Sequence, residues 1–139
     1  PEEDISTILM ADHGLKLYGN AVIVNTDYAK NNSDMVKKFL VAIGAGWRDA
    51  IKDPKAAAAA LVKRNPAADA ALEQRRLQLA IDANVLTDYV KANGMGGVDS
   101  SRFAAAIEQL SETYEYKAAP NAALYFTDEY LPASGISLN

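Results

Sequence analysis

The tripeptide Tyr18-Gly19-Asn20 is the stretch of this chain whose residue types best suit contact with a small ligand. Tyr18 offers a hydroxyl that both donates and accepts hydrogen bonds, and Asn20 offers a side-chain amide. Gly19 lets the backbone take positive φ and approach a bound molecule closely. The tripeptide is therefore a candidate ligand-binding site. The same residues also suit an ordinary turn, in which Tyr18 packs on the core and Asn20 bonds its own backbone.

His13 is the single histidine of the sequence and stands between Asp12 and Gly14. An imidazole titrates near neutral pH and can hydrogen-bond a ligand, so His13 is a further candidate binding residue, although it equally suits an exposed loop. No nucleophile elbow accompanies it, and the chain has no cysteine. The sequence therefore predicts no catalytic residues, no metal site and no cofactor, and a protein that is not an enzyme.

Charge and hydropathy argue against several other classes of function. The net charge is −4, with acidic and basic residues interspersed, which differs from the basic stripe of nucleic-acid-binding proteins. No apolar run in the sequence approaches the roughly 20 residues needed to span a bilayer. The glycine-rich run at residues 94–97 lacks the Lys-Ser/Thr that follows a phosphate-binding loop. A chain of 139 residues is predicted to form one domain.

Two short strands and a long helix are expected to position the candidate binding residues. Residues 5–10 and 21–24 are apolar and rich in β-branched side chains, which favours strands. After Ser33, large apolar residues recur three, four and seven positions apart, which predicts a helix with one buried face. They are Val36, Phe39, Leu40, Ile43, Trp47 and Ile51. Gly44 and Gly46 lower the helix propensity of this stretch. Close approach of a neighbouring element would explain why glycine occurs at these positions.

The rest of the chain carries the signals of further helices. Asp53-Pro54 and Asn65-Pro66 each join an N-cap residue to a proline at the first helical position. Asp99 precedes a run with apolar residues at helical spacing. About five helices are expected in all, with a loose tail at residues 133–139. The predicted fold class is mainly α with two short N-terminal strands, that is, α+β.

The order of these motifs resembles the C-terminal part of periplasmic solute-binding proteins of ABC importers. The importers in question take up nitrate, sulfonate, taurine or thiamine-precursor pyrimidines. Such proteins have a YGN-type corner, a short apolar strand, a D-Y-x-K-x-N element, a long helix with a late tryptophan, a D-P break and an F-T-N-E-Y-L-P ending. The matching pieces here are Tyr18-Gly19-Asn20, residues 21–24, Asp27-Tyr28-Ala29-Lys30-Asn31, residues 36–47, Asp53-Pro54 and Phe126-Thr127-Asp128-Glu129-Tyr130-Leu131-Pro132.

This resemblance implies that residues 1–139 are the C-terminal segment of a two-lobed protein with an α/β periplasmic-binding-protein type II fold. It implies capture of a small solute between the lobes and delivery to an ABC permease, in the periplasm or on a lipid anchor. The tripeptide Tyr18-Gly19-Asn20 would then lie near the cleft. A separated segment would expose apolar surface, so a homodimer is a further expectation.

Two other functions stay open at this point. The first is an enzyme of the pyrimidine-synthesis branch that shares the fold, which would need a cysteine- or histidine-rich motif that these 139 residues lack. The second is a helical interaction module, in which the alanine-rich helices and the aromatic segment after residue 123 form a surface for a partner. The enzyme would convert a small molecule and the interaction module would bind a partner, whereas the transport hypothesis requires binding of an unchanged solute.

Overall fold

The computed structural model describes residues 6, 8–118 and 120–139. Contacts group these residues into two compact units. The first unit takes in the described residues of Pro1–Val24 and Val98–Thr127, and the second takes in Asn25–Gly97 and Asp128–Asn139.

Regular structure in the described residues is helical. The α-helices are α1 (Thr26–Asn31), α2 (Ser33–Lys52), α3 (Pro54–Arg64), α4 (Ala70–Ala80), α5 (Asp88–Asn93) and α6 (Ser100–Thr113). Two short 3₁₀ turns, Met10–His13 and Ala122–Leu124, lie in the first unit. A π-helical turn at Ile81–Val85 directly extends α4 in the second unit.

The two predicted N-terminal strands are wrong, and with them the α+β fold class. Residues 21–24 form no strand, and the segment predicted at 5–10 runs into the 3₁₀ turn at its end; its residues 5 and 7 lie outside the described ranges. The α/β lobe implied by the resemblance likewise has no sheet among residues 6, 8–118 and 120–139. A β-branched run becomes a strand only when its N–H and C=O groups find a neighbouring strand. Here Ile23 is instead 93% exposed.

Helix α2 is the element that the sequence predicted best. It runs from Ser33 to Lys52, and Asp53 separates it from α3. Along the apolar stripe Val36 is buried and Phe39 is exposed, while the stripe residues from Leu40 to Ile51 are half-buried. The side chain of Asp53 accepts a hydrogen bond from the backbone N–H of Ala56 at 2.9 Å. The predicted N-cap and the proline at the start of α3 are therefore both confirmed.

The predicted start of the next helix at Asn65-Pro66 is wrong by several residues. Helix α4 begins at Ala70, because the carboxylate of Asp69 caps it by accepting from the backbone N–H of Leu72 at 2.7 Å. Asn65 instead lies at the C-terminal end of α3, where its N–H bonds the carbonyl of Leu61. Helix α3 then packs against both α2 and α4.

The C-terminal residues are packed against the second unit, so the expected loose tail is wrong. The backbone of Ile136 forms an isolated antiparallel bridge with Met95, with N···O distances of 2.8 and 2.9 Å. Arg48 of α2 donates from Nη1 to the carbonyl oxygen of Ser137 at 2.7 Å. Ile136 is one of the few buried residues of the described chain. Hydrogen bonds and a buried side chain thus hold the tail in place.

Buried side chains are few in the described residues, and none of them is aromatic. The buried apolar residues are Ala29, Val36, Ala58, Ile81, Ala106 and Ile136. Many large apolar side chains are exposed instead, including Leu79 and Leu124. Exposed apolar surface on this scale is typical of a surface that meets another molecule or another part of a protein.

Candidate functional site

The segment that contains Tyr18 is held to the first turn of α6 by Arg102. The guanidinium of Arg102 donates from Nε to the carbonyl oxygen of Lys16 at 2.8 Å and from Nη2 to that of Leu17 at 2.9 Å. Arg102 is half-buried in this position. Two bonds from one planar group fix the direction of the backbone immediately before Tyr18.

The side chain of Tyr18 is held at its ring and at its hydroxyl. The hydroxyl accepts a hydrogen bond from the backbone N–H of Asp99 at 2.8 Å. Arg102 Cζ lies 4.5 Å from the centroid of the ring, a cation–π distance, and the ring meets Phe103 edge-on at 6.1 Å. Phe103 meets Phe126 in the same way at 6.2 Å. Tyr18 is therefore oriented by α6 while its phenol proton remains available as a donor.

Asp99 joins the capping of α6 to the fixation of Tyr18. One carboxylate oxygen accepts from the Ser101 hydroxyl at 2.5 Å and from the backbone N–H of Arg102 at 2.8 Å. These two hydrogen bonds, the Ser101 bond first, hold the pKa of the Asp99 carboxyl below its usual value, because they stabilise the ionised form. The predicted cap at Asp99 is confirmed. The backbone N–H of the same residue donates to the Tyr18 hydroxyl.

Gly19 and Asn20 lie in exposed backbone directly after Tyr18. Positive φ occurs at Gly14, Gly94, Gly96 and Gly135 among the described glycines, so Gly19 does not use that freedom. A Cβ on Gly19 would meet no described atom within 4 Å. The open side of Gly19 and the exposed amide of Asn20 together leave room for another molecule at this point.

His13 ends the 3₁₀ turn Met10–His13 and is exposed. Gly14 follows with φ 94° and reverses the chain. The carbonyl oxygen of Gly14 accepts from Gln109 Nε2 at 3.1 Å, so this turn is also attached to α6. No described hydrogen bond joins the His13 side chain to Tyr18 or Asn20. The structure thus brings Tyr18 together with Asp99 and Arg102, while the turn that contains His13 is attached through Gly14 to a later turn of the same helix.

Asp99 and Arg102 are the residues of this site whose link to Tyr18 the sequence did not indicate. They follow Tyr18 by more than eighty positions, and no local spacing rule connects residues so far apart. The cap signal at Asp99 was visible, but it predicts only a helix start. Among the described residues, no group of three or more His, Cys, Asp or Glu side chains could hold a metal ion.

Comparison with known protein families gives a match for the segment that contains Tyr18. Residues 2–57 match the family described as NMT1/THI5 like. The match covers Tyr18, Gly19, Asn20 and His13 and extends through α2 to the first turn of α3, whereas α6 lies beyond it. No curated protein and no solved structure matches the chain.

The family match confirms the resemblance to the nitrate, sulfonate and thiamine-precursor binding proteins. It supports a solute-binding role in general. Within the described ranges, no helix is both long enough and apolar enough to cross a membrane.

Proposed function

We propose that this chain is the C-terminal segment of a two-lobed solute-binding protein that serves an ABC import system. The carrying observation is the match of residues 2–57 to the NMT1/THI5-like family. The complete protein would work in the periplasm, free or lipid-anchored, and would deliver its solute to a membrane permease. The proposed solutes are nitrate, a sulfonate, taurine or a pyrimidine-like molecule.

The Tyr18 segment supplies the contacts that such a site needs. The phenol of Tyr18 and the exposed amide of Asn20 are two positions apart in the sequence, and they directly follow the backbone that Arg102 fixes through two hydrogen bonds. Groups held in place before binding lose little conformational freedom when a solute arrives, which favours affinity. A positively charged guanidinium over the Tyr18 ring also favours a solute that carries negative charge.

Binding in this scheme changes no covalent bond of the solute. Two lobes of the complete protein close on it, and the binding free energy shifts the balance from the open to the closed form. We assign solute contact to Tyr18, Gly19 and Asn20, with His13 as a further candidate. Arg102 and Asp99 act through Tyr18 and are positioning residues.

The test is a solute screen on the full-length gene product by thermal unfolding. At 100 times Kd a solute adds about 2.7 kcal/mol to the free energy of unfolding, which is a shift of a few degrees in Tm. We expect a shift with at least one of the proposed solutes. Asn20→Ala should reduce that shift, whereas Tyr125→Phe, which alters another exposed tyrosine, should leave it unchanged.

Failure of the whole screen would remove the transport proposal. A solute that stabilises the wild type and Asn20→Ala equally, and Tyr18→Phe equally as well, would leave transport standing and reject the assigned site. The same measurement therefore tests the transport proposal and the site assignment separately.

The second candidate is a pyrimidine synthase, because the family includes such enzymes as well as binding proteins. An enzyme would convert its substrate, so incubation followed by mass spectrometry of the small molecules distinguishes the two functions. A bound solute recovered unchanged supports transport. A product that accumulates with time and protein concentration supports the synthase.

A further inference from the structure

A groove in the second unit, away from the Tyr18 segment in sequence, is lined by α2, α3 and α4. Its volume is about 490 Å³, which lies within the roughly 300–1,000 Å³ typical of small-molecule sites. Its apolar lining includes Ile43, Gly46, Trp47, Ala58, Leu61 and Leu77. We call this the Trp47 groove.

Gly46 is the observation that first distinguishes this groove from an ordinary gap between helices. A glycine in a helix interior is unfavourable, so it usually has a packing reason. A Cβ on Gly46 would meet no described atom within 4 Å, whereas Gly44 of the same helix has a tightly packed neighbour. The bare backbone of α2 at Gly46 therefore faces open groove, beside the half-buried indole of Trp47.

The polar part of the groove is one ion pair between residues of α4. Arg76 Nη1 lies 2.7 Å from Glu73 Oε1. The Glu73 side chain is 19% exposed and the Arg76 side chain is 65% exposed, so the cation is the more exposed partner of the pair. A guanidinium has five N–H donors, and the bond to Glu73 engages one of its nitrogens.

These features define the chemistry of the ligand. An aromatic body would fill the apolar groove, lie against the backbone at Gly46 and contact the Trp47 ring. A carboxylate at one end of the ligand would meet the exposed donors of Arg76. We propose that the Trp47 groove binds a small aromatic carboxylate, at a site separate from the proposed solute site.

The test uses biphenyl-4-carboxylate as the probe, with calorimetry for affinity and the fluorescence of Trp47, the single tryptophan, as a local reporter. Biphenyl-4-methanol has the same body without the charge. We expect the carboxylate to bind and to change the Trp47 emission, and the alcohol to bind more weakly. Arg76→Gln should lower the affinity for the carboxylate and leave the affinity for the alcohol unchanged.

Gly46→Leu provides the decisive variant, with Ala42→Leu as its matched control. The leucine side chain at position 46 would project into the groove. It should lower the affinity for the carboxylate by about tenfold or more, a change that calorimetry resolves easily. Residue 42 is exposed on the same helix and does not line the groove, so Ala42→Leu should bind as the wild type does. Circular dichroism on both variants checks that α2 is intact.

Three results would overturn the proposal. One is no binding of biphenyl-4-carboxylate to the wild type. Another is wild-type affinity in a folded Gly46→Leu variant, and the third is equal affinity for the acid and the alcohol. None of these measurements involves the Tyr18 segment, so the outcome is independent of the transport proposal.

Discussion

The side chain of Ile136 lies where a Cβ on Gly44 would stand, with Ile136 Cγ2 as the nearest atom to that position. Both residues are buried. A residue of the C-terminal segment therefore packs directly on the backbone of α2, ninety-two positions earlier in the chain. The contact gives a physical reason for one of the two glycines in the interior of this helix.

Gly44 and Gly46 should respond in opposite directions to the same substitution. Gly44→Ala should lower the free energy of unfolding by about 1–3 kcal/mol, because the added methyl group overlaps Ile136. Gly46→Ala should raise it by up to about 1 kcal/mol, because alanine favours the helix and meets open space. Urea denaturation of both variants measures this. Destabilisation by Gly46→Ala would contradict the packing described here.

Ile136→Ala should destabilise the protein by about 2–5 kcal/mol, because it removes a buried aliphatic side chain from a close contact. Ile23→Ala is the matched control, since Ile23 is exposed and its truncation should change the stability by no more than about 0.5 kcal/mol. Chemical denaturation compares the two. Equal small effects would mean that the C-terminal segment is not packed in solution.

Tyr18→Phe should loosen the start of α6 while keeping the aromatic packing on Phe103. The substitution removes the acceptor for the Asp99 N–H, a hydrogen bond expected to contribute about 0.5–1.5 kcal/mol. Amide exchange at Asp99 should accelerate by up to about tenfold, as read by hydrogen-exchange NMR. Exchange at Leu72, whose amide is capped by Asp69 in the other unit, should not change. An unaltered Asp99 rate would show that the hydroxyl is not bonded there.

The carboxyl of Asp99 should titrate below an ordinary aspartate. Its pKa is lowered first by the Ser101 hydroxyl and then by the backbone N–H of Arg102. A lowered folded-state pKa contributes stability that is fully present above the unfolded value of about 3.9. That contribution is lost as the pH falls through the folded-state pKa.

Asp99→Asn tests this pH dependence because asparagine also caps helices but does not titrate in this range. The stability difference between wild type and variant should be constant above about pH 5. It should then shrink as the pH falls below the ordinary aspartate value. NMR titration of the Asp99 carboxyl gives the pKa directly, and a midpoint at or above that of an unperturbed aspartate would contradict the hydrogen bonds to Ser101 and Arg102.

Local signals in the sequence predicted α2, α3 and α6 and two of their caps correctly. The apolar spacing located α2, and Asp53-Pro54 and Asp99 marked the starts of α3 and α6, since capping depends on residues within one turn. The prediction of a helix start at Asn65-Pro66 was wrong because the same residue types also suit the end of a helix followed by a turn. The true cap was Asp69, a residue of the same preferred type.

The strands at residues 5–10 and 21–24 failed for a different reason. A β-branched run indicates which residues suit a sheet, but a strand also requires a partner that the local sequence does not specify. In the described chain the one bridge lies elsewhere, between Met95 and Ile136. The same kind of distant pairing turned the expected loose tail into a packed segment.

The sequence by itself determined the helical periodicity, the caps and the order of motifs that resembles a solute-binding family, because these depend on residues close together in the chain. Only the tertiary structure decided that Arg102 and Asp99 hold Tyr18 and that Ile136 packs on Gly44. Each of these contacts joins residues more than eighty positions apart. Such contacts depend on how whole elements pack, and no periodicity or capping rule reaches that far along the chain.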